Sequence, residues 1–179
     1  KVETELEQAS QKLEELSGQQ GELAEQTKEK SEQTNSNENQ DDASKSSEQL
    51  LDQQEKLNKD FEDIQDQIEN VQQLNQELKD PEPLQDLGDD LENIEKGMKD
   101  AQEMLQQQDF EKGSQQQKQN SQKMKELGEK MSQMMQSMQM EMISEDIDNL
   151  KNTLDNLVKL SFRQEDLING FYEVKQVDP

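Results

Sequence analysis

Six thioethers crowd into the twelve residues from 131 to 142 of this chain: Met131, Met134, Met135, Met138, Met140 and Met142. Thioether sulfur is a soft ligand, and methionines at three- and four-residue steps on a helix could together hold Cu(I). The same residues suit a flexible apolar surface that repacks around varied partners. A third reading needs no ligand. Met131, Met134 and Met138 fall on one helical stripe and would fill its packing seam, with the others widening it. Core filling is the first expectation, partner binding the second and Cu(I) the third, because no His or Cys stands nearby to complete a metal site.

Catalytic chemistry has little to draw on. There is no His, no Cys and one Tyr, so bases and nucleophiles reduce to carboxylates, Lys and Ser. Adjacent acids such as Asp41-Asp42 and Asp89-Asp90 occur, but acid–base work needs a desolvated cleft that separates their pKa values. Solvated helix faces are the expectation. The seven glycines are scattered and form no phosphate loop, and the acids match no calcium-loop spacing. A non-enzymatic chain without a cofactor is expected.

Composition bounds what could position any site. Hydrophobic residues make up 27% of 179 and aromatics 3%, with a mean hydropathy of -1.33. A compact globule of this length would lack apolar side chains to fill its interior, whereas a narrow helical bundle needs only two or three per seven residues. The net charge of -24 repels phosphate backbones and anionic lipid, which argues against nucleic-acid or direct membrane binding. No run approaches the roughly 20 apolar residues that span a bilayer. Zero Cys excludes disulfides and leans toward an oxidising envelope compartment, although a cytosolic coil can lack Cys as well. The start at Lys1, without Met or a signal-peptide pattern, reads as an excised piece of something larger.

The fold expectation is all-α: elongated helical hairpins in a coiled-coil-like bundle. Over 1–33, Val2, Leu6, Ala9, Leu13, Leu16, Gln20, Leu23 and Thr27 keep alternating four- and three-residue steps. Gly18 and Gly21 each cost about 1 kcal/mol relative to Ala, which predicts a soft second half. The run 34–47 lacks periodicity and reads as a flexible linker, with Ser46 or Ser47 capping the next helix. Over 48–80 the seam is Leu50, Gln54, Leu57, Phe61, Ile64, Ile68, Val71, Asn75 and Leu78. Asn75 either fixes register against a polar partner or sits at a fraying end, and the fraying end is the preferred reading.

Pro81 and Pro83 break the chain at 81–83. A helical hairpin follows over 84–142, turning near 109–113, where Asp109 suits a cap. Its first arm carries Leu84, Leu87, Leu91, Ile94, Met98, Ala101 and Leu105. Its second carries Phe110, Gly113, Gln117, Asn120, Met124, Leu127, Met131, Met134 and Met138, and the polar early seam predicts weak packing there. Leu84 to Asp109 holds eight acids and two bases against five bases and three acids in Glu111 to Lys130, which favours antiparallel pairing. Ser144 then opens an apolar helix over 144–170, with Ile147, Leu150, Leu154, Leu157 and Val158 on its inner face, continued by Leu160, Phe162, Leu167, Ile168 and Phe171. Asn169-Gly170 reads as a helix stop before a tail at 171–179.

Within Glu145 to Gly170, the string Leu160, Ser161, Phe162, Gln164, Glu165 and Leu167 resembles a segment of large, membrane-anchored, helix-rich proteins of unknown function from Bacteroidota. Their Gln- and Met-rich helices are similar in character to 84–142. The resemblance covers the second half of the chain, implies a cell-envelope origin and carries no catalytic residues. The functional expectation is therefore a structural or protein-interaction scaffold segment that binds a protein partner or itself through helix seams. A Met-rich client-binding surface is the runner-up and a Cu(I) cluster the third. Met131, Met134, Met138, Leu160, Phe162, Leu167, Ile168 and Phe171 are the interaction candidates.

Overall fold

Apolar residues at alternating three- and four-residue steps lie along one side of a helix, and burying that side is what stabilises a helix in water. The computed structural model describes residues 2–34, 40–79, 81 and 84–177, with side-chain surroundings for 2–34, 46–79, 81 and 84–170. Among the described residues the fold is all-α, without a strand: α1 (Val2–Thr34), α2 (Gln40–Gln76), α3 (Gly88–Gln106) and α4 (Phe110–Val177). The chain divides into two compact units, Lys1–Gln136 and Ser137–Pro179, so α4 contributes to both.

In the first unit the seams face one another in a four-helix bundle with every neighbour antiparallel. Lys12 bonds Gln67 and Gln20 bonds Gln54, so α1 and α2 run in opposite directions. Asn58 bonds Gln102 while Gln65 reaches Glu95, which sets α2 against α3. Lys130 pairs with Asp90 at 2.6 Å and Gly113 lies beside Leu105, which sets α3 against the first part of α4. The ring closes where Ser10 bonds the Gly128 carbonyl and Ser17 the Ser121 carbonyl. Leu6, Leu13, Phe61, Ile68, Ile94, Met98, Met124, Leu127 and Met131 are all fully buried at this centre. Each such side chain contributes about 1.5 to 3 kcal/mol on leaving water.

Several helix boundaries differ from the sequence expectation, each for a local reason. The linker expected over 34–47 is shorter, since Thr34 ends α1 and α2 already starts at Gln40. Residues 35–39 lie outside the described residues. Ser46 and Ser47 are inside the helix rather than capping it, because Ser costs a helix only tenths of a kcal/mol once Leu50 and Leu57 anchor the following turns. The proline break is wider than 81–83: α2 stops at Gln76 and α3 begins at Gly88, with Asp80, Glu82 and Pro83 outside the described residues. Leu84 is left out of α3, and the Asp86 carboxylate accepts the Gly88 amide at 2.9 Å instead. Gly18 and Gly21 do not interrupt α1, whose second half is tied down by buried Leu23, Ala24 and Thr27.

The turn between α3 and α4 is tight. Gln108 adopts φ 61, its amide bonds the Leu105 carbonyl, and the Asp109 amide bonds the Met104 carbonyl. That pair of bonds closes the C-terminus of α3 in a Schellman arrangement with Gln at the left-handed position. Asp109 then caps α4, accepting the Lys112 amide at 3.3 Å.

Ser144 does not open a new helix, nor does Asn169-Gly170 stop one. α4 continues through both to Val177, so the expected tail at 171–179 is helical over its described backbone. Between Gly128 and Gly170 there is no Gly and no Pro, and Gly170 takes no left-handed φ that would end the helix.

Candidate functional site

Two features of the chain have the character of sites, and they are built from opposite materials. The first is a layer of amides inside the bundle. Helical spacing carries Gln20, Gln54 and Gln117 inward on the seams of α1, α2 and α4, and all three are fully buried. Gln54 is the hub. Its Oε1 accepts from Gln20 Nε2 and Gln117 Nε2, both at 2.9 Å, and its Nε2 donates back to Gln20 Oε1 at 3.2 Å. The same Nε2 donates to Asn58 Oδ1, Asn58 Nδ2 donates to Gln102 Oε1, and Gln102 Nε2 donates to Glu55 Oε1. The network thus runs from the centre to a surface groove of about 310 Å³ between α2 and α3, which Glu55, Asn58, Phe61, Glu95, Met98 and Gln102 help to line.

Each neutral bond in that layer adds about 0.5 to 1.5 kcal/mol, while an amide left unpaired in the interior costs about 1 to 3. The layer therefore rewards one register and penalises others. Asn120 lies one turn along α4 from Gln117, fully buried and bonded by Gln116. Gly97 of α3 makes room for it, since a Cβ there would lie 2.2 Å from Asn120 Oδ1. Small residues serve the α1 and α4 contact in the same way. Ser17 and Ser121 exchange hydroxyl-to-carbonyl bonds of 2.8 Å in both directions, and Gly21 packs against Ser121.

Weak packing of the early α4 seam is corrected by burial: Gln117 and Asn120 are fully buried, Gln117 bonded to Gln54 of α2 and Asn120 to Gln116 of its own helix, while Gln117 Oε1 and Asn120 Nδ2 stay without a hydrogen-bond partner among the described residues. Asn75 is buried one residue before the end of α2, so the fraying-end reading does not describe its side chain. The polar seam positions were visible in the sequence. Their mutual pairing was not, although Gln20, Gln54 and Gln117 each interrupt an apolar seam, which was the available signal.

The methionines divide. Met131, Met134 and Met138 are buried, Met135 is half-buried, and Met140 and Met142 are exposed. The Met134 sulfur already accepts the Gln85 amide at 3.0 Å. The structure does not bring the six thioethers into one common environment.

The second feature is an open apolar face. Ile147, Leu150, Leu154, Leu157 and Val158, expected on the inner face of a packed helix, are exposed, and so are Leu160, Phe162, Leu167 and Ile168. With Ile143 they make ten large apolar side chains, each left 45 to 70% accessible. The Phe171 side chain lies outside the described residues. Of the interaction candidates, then, Leu160, Phe162, Leu167 and Ile168 are available to a partner in this structure, and Met131, Met134 and Met138 are core.

The shifted titrations belong to exposed helix pairs. Lys99 donates to Glu95 and holds that carboxyl below its usual value, and Glu95 in turn raises Lys99. Lys112 does the same to Asp109 through its side chain first and its backbone amide second. Both are intrahelical pairs, and Glu95 with Lys99 also lines the groove where the amide network reaches the surface.

No family model, curated protein or solved structure matches the chain. Among the described residues no helix is long and apolar enough to cross a membrane.

Proposed function

We propose that this chain is a non-enzymatic scaffold segment that binds protein through the open face of α4, within a larger cell-envelope protein. One observation carries the reading: ten large apolar side chains along Ile143–Ile168 remain in water while the seams of the bundle are buried. Apolar patches larger than a few hundred Å² are uncommon on isolated surfaces and mark interaction sites. Full burial of a Leu, Ile, Val or Phe is worth about 1.5 to 3 kcal/mol, so covering this face supplies a strong drive to associate. The envelope setting rests on the resemblance of the Leu-Ser-Phe string to the membrane-anchored Bacteroidota proteins. The bundle, with its amide layer and coiled-coil-like seams, serves as the rigid base.

A second reading, a Met-rich surface that holds varied clients, is favoured by Met140 and Met142, which are exposed at the head of the same face. Affinity purification from the membrane and soluble fractions of the source cells tests both. The wild-type chain is compared with a Leu154→Glu/Leu157→Glu variant, whose two sites are exposed and leave the bundle intact. A defined protein partner lost in the variant supports the scaffold. Recovery of many unrelated unfolded clients, equally lost, supports the holdase. Identical recoveries from both chains would overturn the proposal.

A further inference from the structure

We infer that the open face of α4 takes a second copy of this chain, its Ile143–Ile168 stretch lying parallel and in register against its equal; the inference rests on the docking role proposed for that face. The residues assign the geometry. Ile147, Leu150, Leu154 and Leu157 follow three- and four-residue steps, and three further steps of that spacing reach Ser161, Gln164 and Ile168. In heptad terms Ile147, Leu154, Ser161 and Ile168 occupy one core position, and Leu150, Leu157 and Gln164 the other. A β-branched residue at the first position with Leu at the second favours two parallel strands.

The polar break selects the alignment. A parallel, in-register pair sets Gln164 against Gln164 of the second copy, whereas the antiparallel pairing that matches Leu150 with Ile168 sets it against Leu154. An amide facing Leu inside a seam loses its partners, and an amide facing an amide keeps them. The bundle already sets amide against amide, since Gln20 of α1 and Gln54 of the antiparallel α2 exchange bonds in both directions. Charge agrees with the same alignment. Asp146 and Lys151 stand five residues apart at the flanking positions that meet across a parallel pair, so each copy offers one opposite charge to the other. Lys151 is exposed and makes an intrahelical contact to Asp148 at 3.0 Å. The area suffices too. At about 25 cal/mol per Å², the nine exposed apolar side chains at core or flanking positions, Phe162 lying outside the seam, are worth about 1.5 to 3 kcal/mol each and present roughly 540 to 1,080 Å² per chain, and a stable interface needs about 800 Å² per partner.

Sedimentation of the purified 179-residue chain is the test, paired with spin-label distances. Because the chain has no Cys, single labels at Glu145→Cys and at Asp166→Cys are clean, and both positions point away from the seam. The expected result is a dimer in which each label lies within about two helix diameters, roughly 20 to 25 Å, of its equivalent. The Leu154→Glu/Leu157→Glu variant should sediment as a monomer with unchanged bundle melting. The two labelled sites are separated by about 32 Å along a helix, so in any antiparallel pair at least one label pair must lie far apart, and a long distance at either site would overturn the parallel alignment. A monomeric wild type, or a dimer that persists in the variant, would overturn self-association. If the wild type is monomeric yet still loses a cellular partner in the variant, only this inference fails; if that partner is retained as well, the docking role fails with it.

Discussion

Leu13 and Leu154 occupy the same kind of place in the same kind of pattern, an apolar step on a polar helix, yet one is fully buried and the other 62% exposed. The bundle and the C-terminal unit differ in partners and hardly at all in periodicity. Hydrophobic spacing states which side of a helix seeks cover. It is silent on what provides the cover, because burial is a property of pairs of elements and spacing is a property of one. Within the bundle, three other helices provide it. Among its described residues the Ser137–Pro179 unit contains only the remainder of α4.

Removing a ring from each region should give the sharpest contrast. Phe61 is buried in the bundle and Phe162 is open to water, so Phe61→Ala should cost about 3 to 5 kcal/mol in chemical denaturation. Phe162→Ala should stay within about 0.5 kcal/mol for the bundle transition. Equal losses at both positions would abolish the distinction.

A second contrast lies between glycines. Gly97→Ala forces a methyl into Asn120 and should destabilise the bundle by about 1 to 3 kcal/mol. Gly170→Ala meets nothing within 4 Å and should leave the bundle melting temperature unchanged. A tolerated Gly97→Ala would show that the amide layer is not packed as described.

The turn offers a smaller gain. Gln108 holds a left-handed conformation, so Gln108→Gly should raise stability by about 0.4 to 1 kcal/mol, visible as a higher denaturation midpoint at unchanged slope. Lower stability would mean that the Gln108 side chain makes contacts which outweigh backbone relief.

Mild acid should give the smallest effect. Lys112 holds the Asp109 carboxyl below its usual value, so its contribution is fully present above the unfolded carboxylate pKa and is lost as pH falls through the folded one. Asp109→Asn should therefore flatten a small part of the acid limb of the stability curve and leave neutral behaviour nearly unchanged. An identical acid limb in both proteins would remove the capping role.

How much was readable in advance varies along the chain. The four bundle seams were legible down to Thr27 in α1 and Met134 in α4, because each repeats its period over several turns, but Leu78 and Leu84, read as seam residues, lie beyond the ends of α2 and α3, where Leu78 is exposed and Leu84 half-buried. Antiparallel order between α3 and α4 was legible from charge, and Lys130 with Asp90 is its physical expression. Helix ends were poorly legible. Ser, Asp and Gly signal stops only weakly: at Ser46 the buried Leu50 and Leu57 anchor the following turns, and at Ser144 and Gly170 no proline or left-handed φ ends the helix. For the candidate site, Leu160, Phe162, Leu167 and Ile168 were singled out correctly as apolar, but the same signal also marked Met131, which is core.

The sequence by itself determined an all-α chain, the inward side of each bundle helix and a net charge of -24, since these follow from periodicity and charge carried by single segments. Only the tertiary structure decided that Gln20, Gln54 and Gln117 meet in one layer, that Gly97 yields space to Asn120, and that the last apolar stripe stays open. The reason is common to all three: hydrogen bonds, close packing and burial depend on which helix lies opposite, and that choice is made by the whole bundle at once.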